Sequence, residues 1–431
     1  MYRNMVSMLA AWNENPERKM LLLKGPLRVG KTWCVMDFAE AFYKKTLHIE
    51  FDRDAVLREL FMTAHAPEFI EEQLELLAGV SFRDYNANEL LLVFDEVQVE
   101  EDLFAGVMQY VRQRTGFSVI MIASWMGSLP AEKLVAEELQ IEVMYPMSFE
   151  EFLIANKAQE LCRMIEQEKV NGLAEDVRPV ILDYLKYFYI TGGMPEVVQS
   201  FVKSRSMNQI DIITHRILQE LRDNVIRHAP KQLVKKILQV WDSVPAQLTK
   251  ENKKFMYGAV DVRARAREYV AAVDWLTAAG YVRKVQKVTQ GISPLTEYLD
   301  PKSFELYYLD HGLLRSVSGI TAKDAEKEAD IFDGLHGILS EQLVLAELML
   351  NSNVRELYFW TSEATARIDF VFEDDGEIIP VDVQTTIRKK AQNLKVFHQK
   401  YENRIWIRIS LEELSFHKGN LNVPIYGLWN F

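Results

Sequence analysis

Over the first 150 residues, unbroken apolar runs alternate with stretches of helical spacing. The runs are Met20-Leu-Leu-Leu23, Leu90-Leu-Leu-Val-Phe94 and Val119-Ile-Met-Ile122, with Ile141-Glu-Val-Met144, interrupted by a glutamate, as a last strand. Thr46 to Phe51 alternates apolar and polar positions instead. Strands that are apolar at every position are buried on both faces, as in a parallel sheet covered by helices. The helical stretches fit that cover: residues 3–14 with Met5, Met8, Leu9 and Trp12 on one side, Val35 to Phe42, and 54–78. An open, mostly parallel α/β sheet follows, with any ligand at the C-terminal ends of its strands.

Beyond residue 150 the spacing changes. Ser148-Phe-Glu-Glu151 has the form of a capping box, and 151–205 then reads as helical up to Thr191-Gly-Gly-Met-Pro195. Residues 206–320 remain largely helical, and a helix, a turn at Gly280 and a strand suggest a winged-helix-like region. From 321 to 431 the pattern becomes helix, three strands, helix, strand. The helices run from Ile338 and from Arg388 to His398, and the last strand is Ile405-Trp-Ile407. Four segments are therefore expected: 1–150, a helical lid at 151–205, 206–320 and 321–431.

Composition changes this picture little. Hydrophobic residues make up 48% and charged residues 26%, as in ordinary globular proteins. Fifty Lys and Arg against 62 Asp and Glu leave a charge of −12, so any nucleic-acid contact must use a local basic patch. Two such patches exist: +4 over 251–290, with Arg263, Arg265 and Arg267, and +6 over 388–408. A solvated helix face, or a winged helix used for protein packing, is the plainer reading of the first, and a solvated basic helix is the alternative for the second. Cys34 and Cys162 are too few for a disulfide framework. No signal-peptide pattern and no apolar run of membrane-spanning length is visible, so a cytoplasmic protein without membrane contact is expected.

The candidate chemistry sits where the first strand meets the first long helix. Gly25-Pro26-Leu27-Arg28-Val29-Gly30-Lys31-Thr32 has the Gly-x-x-x-x-Gly-Lys-Thr spacing of a phosphate-binding loop, in the strand–loop–helix context that makes it specific. Its glycines let backbone N–H groups turn inward around an anion. Lys31 would reach the outer phosphates and the Thr32 hydroxyl would ligate Mg²⁺. The run ending in Asp95-Glu96 supplies the acidic partner: Asp95 for Mg²⁺, Glu96 to polarise the attacking water. Seven acidic residues and no Lys or Arg lie between Asp84 and Asp102, a repulsion that a cation would relieve. Ser124, ending the next strand, is a candidate γ-phosphate contact or a plain strand-end serine. Arg112 and Arg114 are candidate arginine fingers, with solvated helix charges as the plainer reading. His48 reads as a satisfied strand residue, and His215, His228 and His311 lack metal-ligand spacing.

GPLRVGKT, LLVFDEVQ, YPMSFEEF, ITGGMPEVV, ELYYLDHGLL and IDFVF…IIPVDVQ, taken in this order, resemble the bacterial and archaeal AAA-like ATPases that carry a C-terminal domain of uncharacterised function. The resemblance implies ATP with Mg²⁺ as ligands, Lys31 and Thr32 as nucleotide contacts, and Asp95, Glu96 and Gln98 as the family's Asp-Glu-x-Gln. Similar proteins place a Gly-Arg before the YPMSF-like phrase, where this chain has Glu138-Leu139-Gln140; a cis-acting arginine is not expected. The C-terminal run resembles the restriction-endonuclease-like core of PD-(D/E)xK nucleases, which places Glu341, Asp369 and Asp382 at a metal site. Gln384 fills the position of the lysine in that pattern, with Lys389 or Lys390 as stand-ins. A neutral amide cannot stabilise the transition-state charge, a loss of about 10²–10³ in rate. The reading is therefore a slow Mg²⁺-dependent ATPase acting as a switch for its C-terminal modules, toward a protein or DNA partner. The alternatives are an ATP-gated DNA nuclease and a nucleotide-stabilised scaffold without turnover. Oligomeric state stays open.

Overall fold

The computed structural model describes the chain apart from residues 64, 115–116, 130–131, 264, 329, 334–336, 352, 364, 386–391 and 431, and apart from the side chains of 134 and 169–171. It divides into two compact units, one of 2–145 with 277–280 and one of 146–276 with 281–431 and Met1.

The first unit is built in strand–helix order: α1 (Asn4–Glu14), β1 (Met20–Lys24), α2 (Lys31–Phe42), β2 (Lys45–Glu50), α3 (Ala55–Met62), α4 (Pro67–Ala78), β3 (Leu90–Asp95), α5 (Leu103–Arg112), β4 (Ser118–Ala123) and β5 (Leu139–Val143). The strands form one sheet in the order β2-β3-β4-β1-β5, and every pair is parallel. Alternate residues of β1, β3 and β4 enter two separate cores. Leu21, Leu23, Leu91, Val93, Ile120 and Ile122 pack with Leu9, Trp12 and Phe38 on one face. Leu22, Leu90, Leu92, Phe94 and Met121 pack with helices α3 to α5 on the other. This two-sided burial is why β3 and β4 are buried at every position.

The helix expected over 54–78 is two helices. Asp54 caps the first by accepting from the N–H groups of Val56 and Leu57, both at 3.0 Å. The second starts at Pro67, whose ring disfavours a helical residue before it, and Ala66 is extended.

The second unit opens with α6 (Phe149–Ala155), α7 (Gln159–Asn171), α8 (Val177–Thr191), α9 (Pro195–Ser204), α10 (Met207–His228), α11 (Val234–Leu248), α12 (Tyr257–Val260) and α13 (Ala266–Ala278). Then come β6 (Val282–Val288), β7 (Leu299–Tyr308), α14 (His311–Val317), α15 (Ala322–Lys327), α16 (Ile338–Leu348), β8 (Tyr358–Thr361), β9 (Arg367–Asp374) and β10 (Glu377–Gln384). The unit ends with α17 (Gln392–Tyr401), β11 (Trp406–Ser410), β12 (Ser415–His417) and β13 (Asn420–Pro424). The capping box at Ser148 forms, with both reciprocal bonds at 3.1 Å. Eight strands make one sheet, in the order β12-β13-β11-β10-β9-β8-β6-β7. Strands from either side of residue 320 thus share it, joined by the parallel pairing of β6 with β8.

Two of the quoted phrases form one joint. The Asp310 carboxylate caps α14 by accepting from Leu313 N at 2.9 Å, and its other oxygen accepts from Gly193 N at 2.7 Å. Gly192 has φ 70° and lies so close that an added Cβ would sit 2.2 Å from Asp310 Oδ1. Thr191-Gly-Gly and Asp310-His-Gly are therefore the two halves of a buried helix-to-helix contact.

Another buried contact gives a pH signature. Glu347 on α16 accepts from Phe149 N, at the start of α6, at 2.7 Å. Its second oxygen is buried and finds no hydrogen-bond partner among the described residues. Burial, with help from Glu151 and Glu150, pushes this carboxyl up to about 8. The folded chain thus keeps a proton that the unfolded chain releases near the ordinary carboxylate value, and stability falls as pH rises between the two. One proton sets a slope of at most about 1.4 kcal/mol per pH unit. Glu347→Gln keeps an acceptor for Phe149 without that proton. Thermal melts between pH 5 and pH 8 should show the variant gaining on the wild type as pH rises; a pH-independent difference would refute the assignment.

Candidate functional site

The loop between β1 and α2 is shaped by backbone demands that its sequence meets. Gly25 passes so close to β5's continuation that an added Cβ would lie 2.3 Å from the Met144 carbonyl oxygen. Gly30 adopts φ 92° as the residue before α2, a conformation only glycine takes without strain. Arg28 holds φ 70°, a strain of order 1–3 kcal/mol of the kind stored at functional loops. A contact invisible in the sequence pins the loop from behind. Buried Arg3 donates to the Val29 carbonyl at 2.6 Å and to the Tyr145 carbonyl at 2.8 Å.

Lys31 and Thr32 open α2 and turn toward the ends of β3 and β4. The Lys31 ammonium donates to the carbonyls of Gly25 (3.0 Å) and Pro26 (2.9 Å) and to Ser124 Oγ (3.0 Å). All three of its protons are thus engaged. Burial pushes its pKa below the ordinary lysine value, against the pull of Glu96 and Asp95. Ser124 passes the connection on, donating from Oγ to Glu96 Oε1 at 2.6 Å. The other Glu96 oxygen accepts from the Gln98 amide, whose carbonyl end accepts from Ser124 N at 3.2 Å. Glu96 itself leaves the strand with φ 62°. Lys31, Ser124, Glu96 and Gln98 therefore form one closed chain of hydrogen bonds.

Asp95 stands beside this chain. Its Oδ2 accepts from Thr32 Oγ1 at 2.7 Å and contacts His48 Nε2 at 3.1 Å. Its Oδ1 is buried without a hydrogen-bond partner among the described residues. A bare buried carboxylate oxygen is costly unless a positive charge meets it, and a divalent cation shared with Thr32 Oγ1 would supply that charge. The donor set fits Mg²⁺.

The finger candidates lie elsewhere. Arg112 is paired with Glu138 on the surface, and Arg114 with Glu68 (3.0 Å) and Glu71 (3.1 Å). Arg263, Arg265 and Arg267 are exposed. His311 is buried, with Nε2 2.8 Å from the Phe188 carbonyl.

The C-terminal acids meet cations of the chain itself. Glu341 on α16 is ion-paired with Lys253, a residue not singled out from the sequence. The Tyr307 hydroxyl lies 3.1 Å from both Glu341 and Glu305. Arg367 makes a two-pronged contact with Glu305 (2.5 and 2.8 Å) and reaches Asp369 at 3.3 Å. Asp369 also accepts from Val383 N at 3.0 Å, and Asp382 accepts from the Gln384 amide. Burial beside Asp369 pushes Asp382 up to about 8. Among the described residues no group of three or more His, Cys, Asp or Glu is arranged to hold a metal ion, these acids included. Lys389 and Lys390 lie outside the described residues.

A parallel sheet in this order, with a Gly-Lys-Thr loop at the end of one strand and Asp-Glu at the end of another, is the fold of a P-loop NTPase. Family comparison agrees: residues 17–153 match an AAA domain. Residues 182–324 and 336–428 match two domains of unknown function, DUF8612 and DUF4143. The chain is similar to the Walker-type ATPase PABY2304 of Pyrococcus abyssi, at 14% identity and TM-score 0.43, covering 74% of this chain and 95% of that one. It is also similar to the Aeropyrum pernix ORC1 protein in complex with DNA, at 14% identity and TM-score 0.32, covering 74% and 91%. A third likeness is to C. elegans PCH-2, at 16% identity and TM-score 0.30, covering 46% and 59%. Curated proteins give no match. No helix among the described residues is long and apolar enough to cross a membrane.

Proposed function

We propose that the chain binds ATP with Mg²⁺ in the loop Gly25–Thr32 and hydrolyses it slowly, as a nucleotide-controlled switch for the modules beyond residue 145. The observation that carries this is the hydrogen-bonded chain from Lys31 through Ser124 to Glu96. Both oxygens of Glu96 are hydrogen-bonded, one to Ser124 and one to Gln98. A triphosphate offers the Lys31 ammonium a stronger, charged partner than two carbonyls and a hydroxyl. Once Lys31 turns to the phosphates, Ser124 is free to follow and Glu96 is released to accept a proton. Water then attacks the γ-phosphorus, its proton passes to Glu96, and the bond to the bridging oxygen breaks to give ADP and phosphate. Mg²⁺, held by Thr32 and Asp95, would neutralise charge on the phosphates. Turnover is slow on this reading because Arg112 and Arg114 are bound in ion pairs and Glu138-Leu139-Gln140 stands where similar proteins place a Gly-Arg.

The order α16, β8, β9, β10, α17, β11 supports a restriction-endonuclease-like core for the last module, and α13 followed by β6 supports a winged-helix-like element. We read the former as a binding module. Lys253 and Arg367 neutralise Glu341 and Asp369, and Gln384 stands where a catalytic lysine would. Any partner, protein or DNA, would meet these modules.

Glu96→Gln tests the reading. It keeps the fold and the Ser124 contact but cannot take a proton. Phosphate release should fall by about 10²-fold or more, in the range for loss of a positioned general base, while ATP still binds. Calorimetry that registers no heat from the wild type with ATP or GTP would overturn the whole assignment.

A further inference from the structure

We propose that His48 is a positioning residue for the cation site: it fixes the carboxylate of Asp95 so that the oxygen facing the cation is Oδ1. This rests on the ATP–Mg²⁺ reading above. His48 lies on β2 in register with Val93 of β3, and its ring reaches along the neighbouring strand to Asp95. Nε2 stands 3.1 Å from Asp95 Oδ2, the same oxygen that accepts from Thr32 Oγ1 at 2.7 Å. Asp95 is 3% exposed, and its Oδ1 is the buried atom left without a partner among the described residues.

Two donors converging on one oxygen, with none on the other, define the rotation of a carboxylate. Without the imidazole, Oδ2 would keep only the Thr32 hydroxyl, and the group could turn about its Cβ–Cγ bond. The Thr32 bond alone cannot do the work of both, because that hydroxyl must also offer a lone pair to the cation. The histidine comes from a different strand than the loop and the aspartate, so its hold on Asp95 does not depend on the loop's own state. On its far side the ring has Glu50, with Nδ1 3.9 Å from Oε1, and Glu50 is itself paired with Arg53 at 3.0 Å. The sequence pattern shows His48 only as a polar position on an alternating strand; the contact across β2 and β3 gives it a role.

The test uses the full chain and two readouts besides turnover. ATP affinity is measured by calorimetry in EDTA and in Mg²⁺, and Mn²⁺ binding to the ATP-loaded protein is followed by electron paramagnetic resonance. His48→Leu should leave ATP affinity in EDTA unchanged and weaken Mn²⁺ and Mg²⁺ binding by about 10- to 100-fold, the range for losing a group that orients a metal ligand. His48→Gln, whose amide can donate from the same place, should restore most of it. His48→Asn, polar but too short to reach Asp95, should behave as the leucine variant does and serves if that variant fails to fold. Wild-type cation affinity in both short-reach variants overturns the role of His48 alone. A wild-type protein that binds no nucleotide overturns the parent reading and this one with it.

Discussion

Lys31→Ala is expected to abolish ATP binding and hydrolysis together. The side chain is buried at the mouth of the loop, and its ammonium is the one cation in contact with Gly25, Pro26 and Ser124 among the described residues. Removing it takes away the charge that would meet the outer phosphates and the first link of the relay to Glu96. Loss of one such electrostatic contact costs about 10²–10³ in rate, and here the binding contact disappears as well. A ligand at 100 times its dissociation constant stabilises a folded protein by about 2.7 kcal/mol. The wild type should therefore melt at a higher temperature with ATP and Mg²⁺, and the variant should not respond. Phosphate release at the wild-type rate from Lys31→Ala would end the assignment of this loop. The contrast with Glu96→Gln is informative: one variant loses the nucleotide, the other keeps it and loses turnover.

What could be read from the chain alone was local in sequence. The phosphate loop, the acidic end of β3 and the capping box at Ser148 are patterns of eight residues or fewer. The strands of the first sheet were legible because burial on both faces makes β3 and β4 apolar except at Asp95 and Ser118. The break between α3 and α4 was also written locally, in Pro67, and helical spacing over 54–78 masked it. The contacts that the sequence did not show act across long separations. Arg3 braces Val29 from the N-terminal helix, His48 reaches Asp95 from a neighbouring strand, and Lys253 neutralises Glu341 from a loop 88 positions away. No spacing rule links such pairs, since their proximity is made by the sheet order. The C-terminal acids show the converse. Their sequence positions suggested a metal site, but the charges around them are supplied by Lys253 and Arg367, which the spacing of the acids could not foretell.

Gly312→Val should strongly destabilise the second unit. A Cβ at this position would lie 2.4 Å from the Thr191 carbonyl oxygen and 2.7 Å from Gly192 N. Both are backbone atoms at the end of a buried helix, so neither can swing aside as a side chain would. Relief requires α14 to move away from α8, and that movement pulls Asp310 from Gly193 N and Leu313 N. Overpacking of a core typically costs about 1–3 kcal/mol, and a buried N–H left without its acceptor about 1–3 kcal/mol more. A total of roughly 2–6 kcal/mol follows, a large part of what usually holds a domain together. Gly319→Ala provides the control: it has φ 80° but nothing within 4 Å of the added atom, so it bears only the strain of a left-handed residue, about 1–2 kcal/mol. Asp310→Ala should fall between them, since it removes both bonds without any clash. Thermal and denaturant unfolding of the three variants should rank them in that order. A Gly312→Val protein as stable as Gly319→Ala would mean that the Thr191-Gly-Gly and Asp310-His-Gly segments are not locked together, and that some other demand maintains both phrases in the chain.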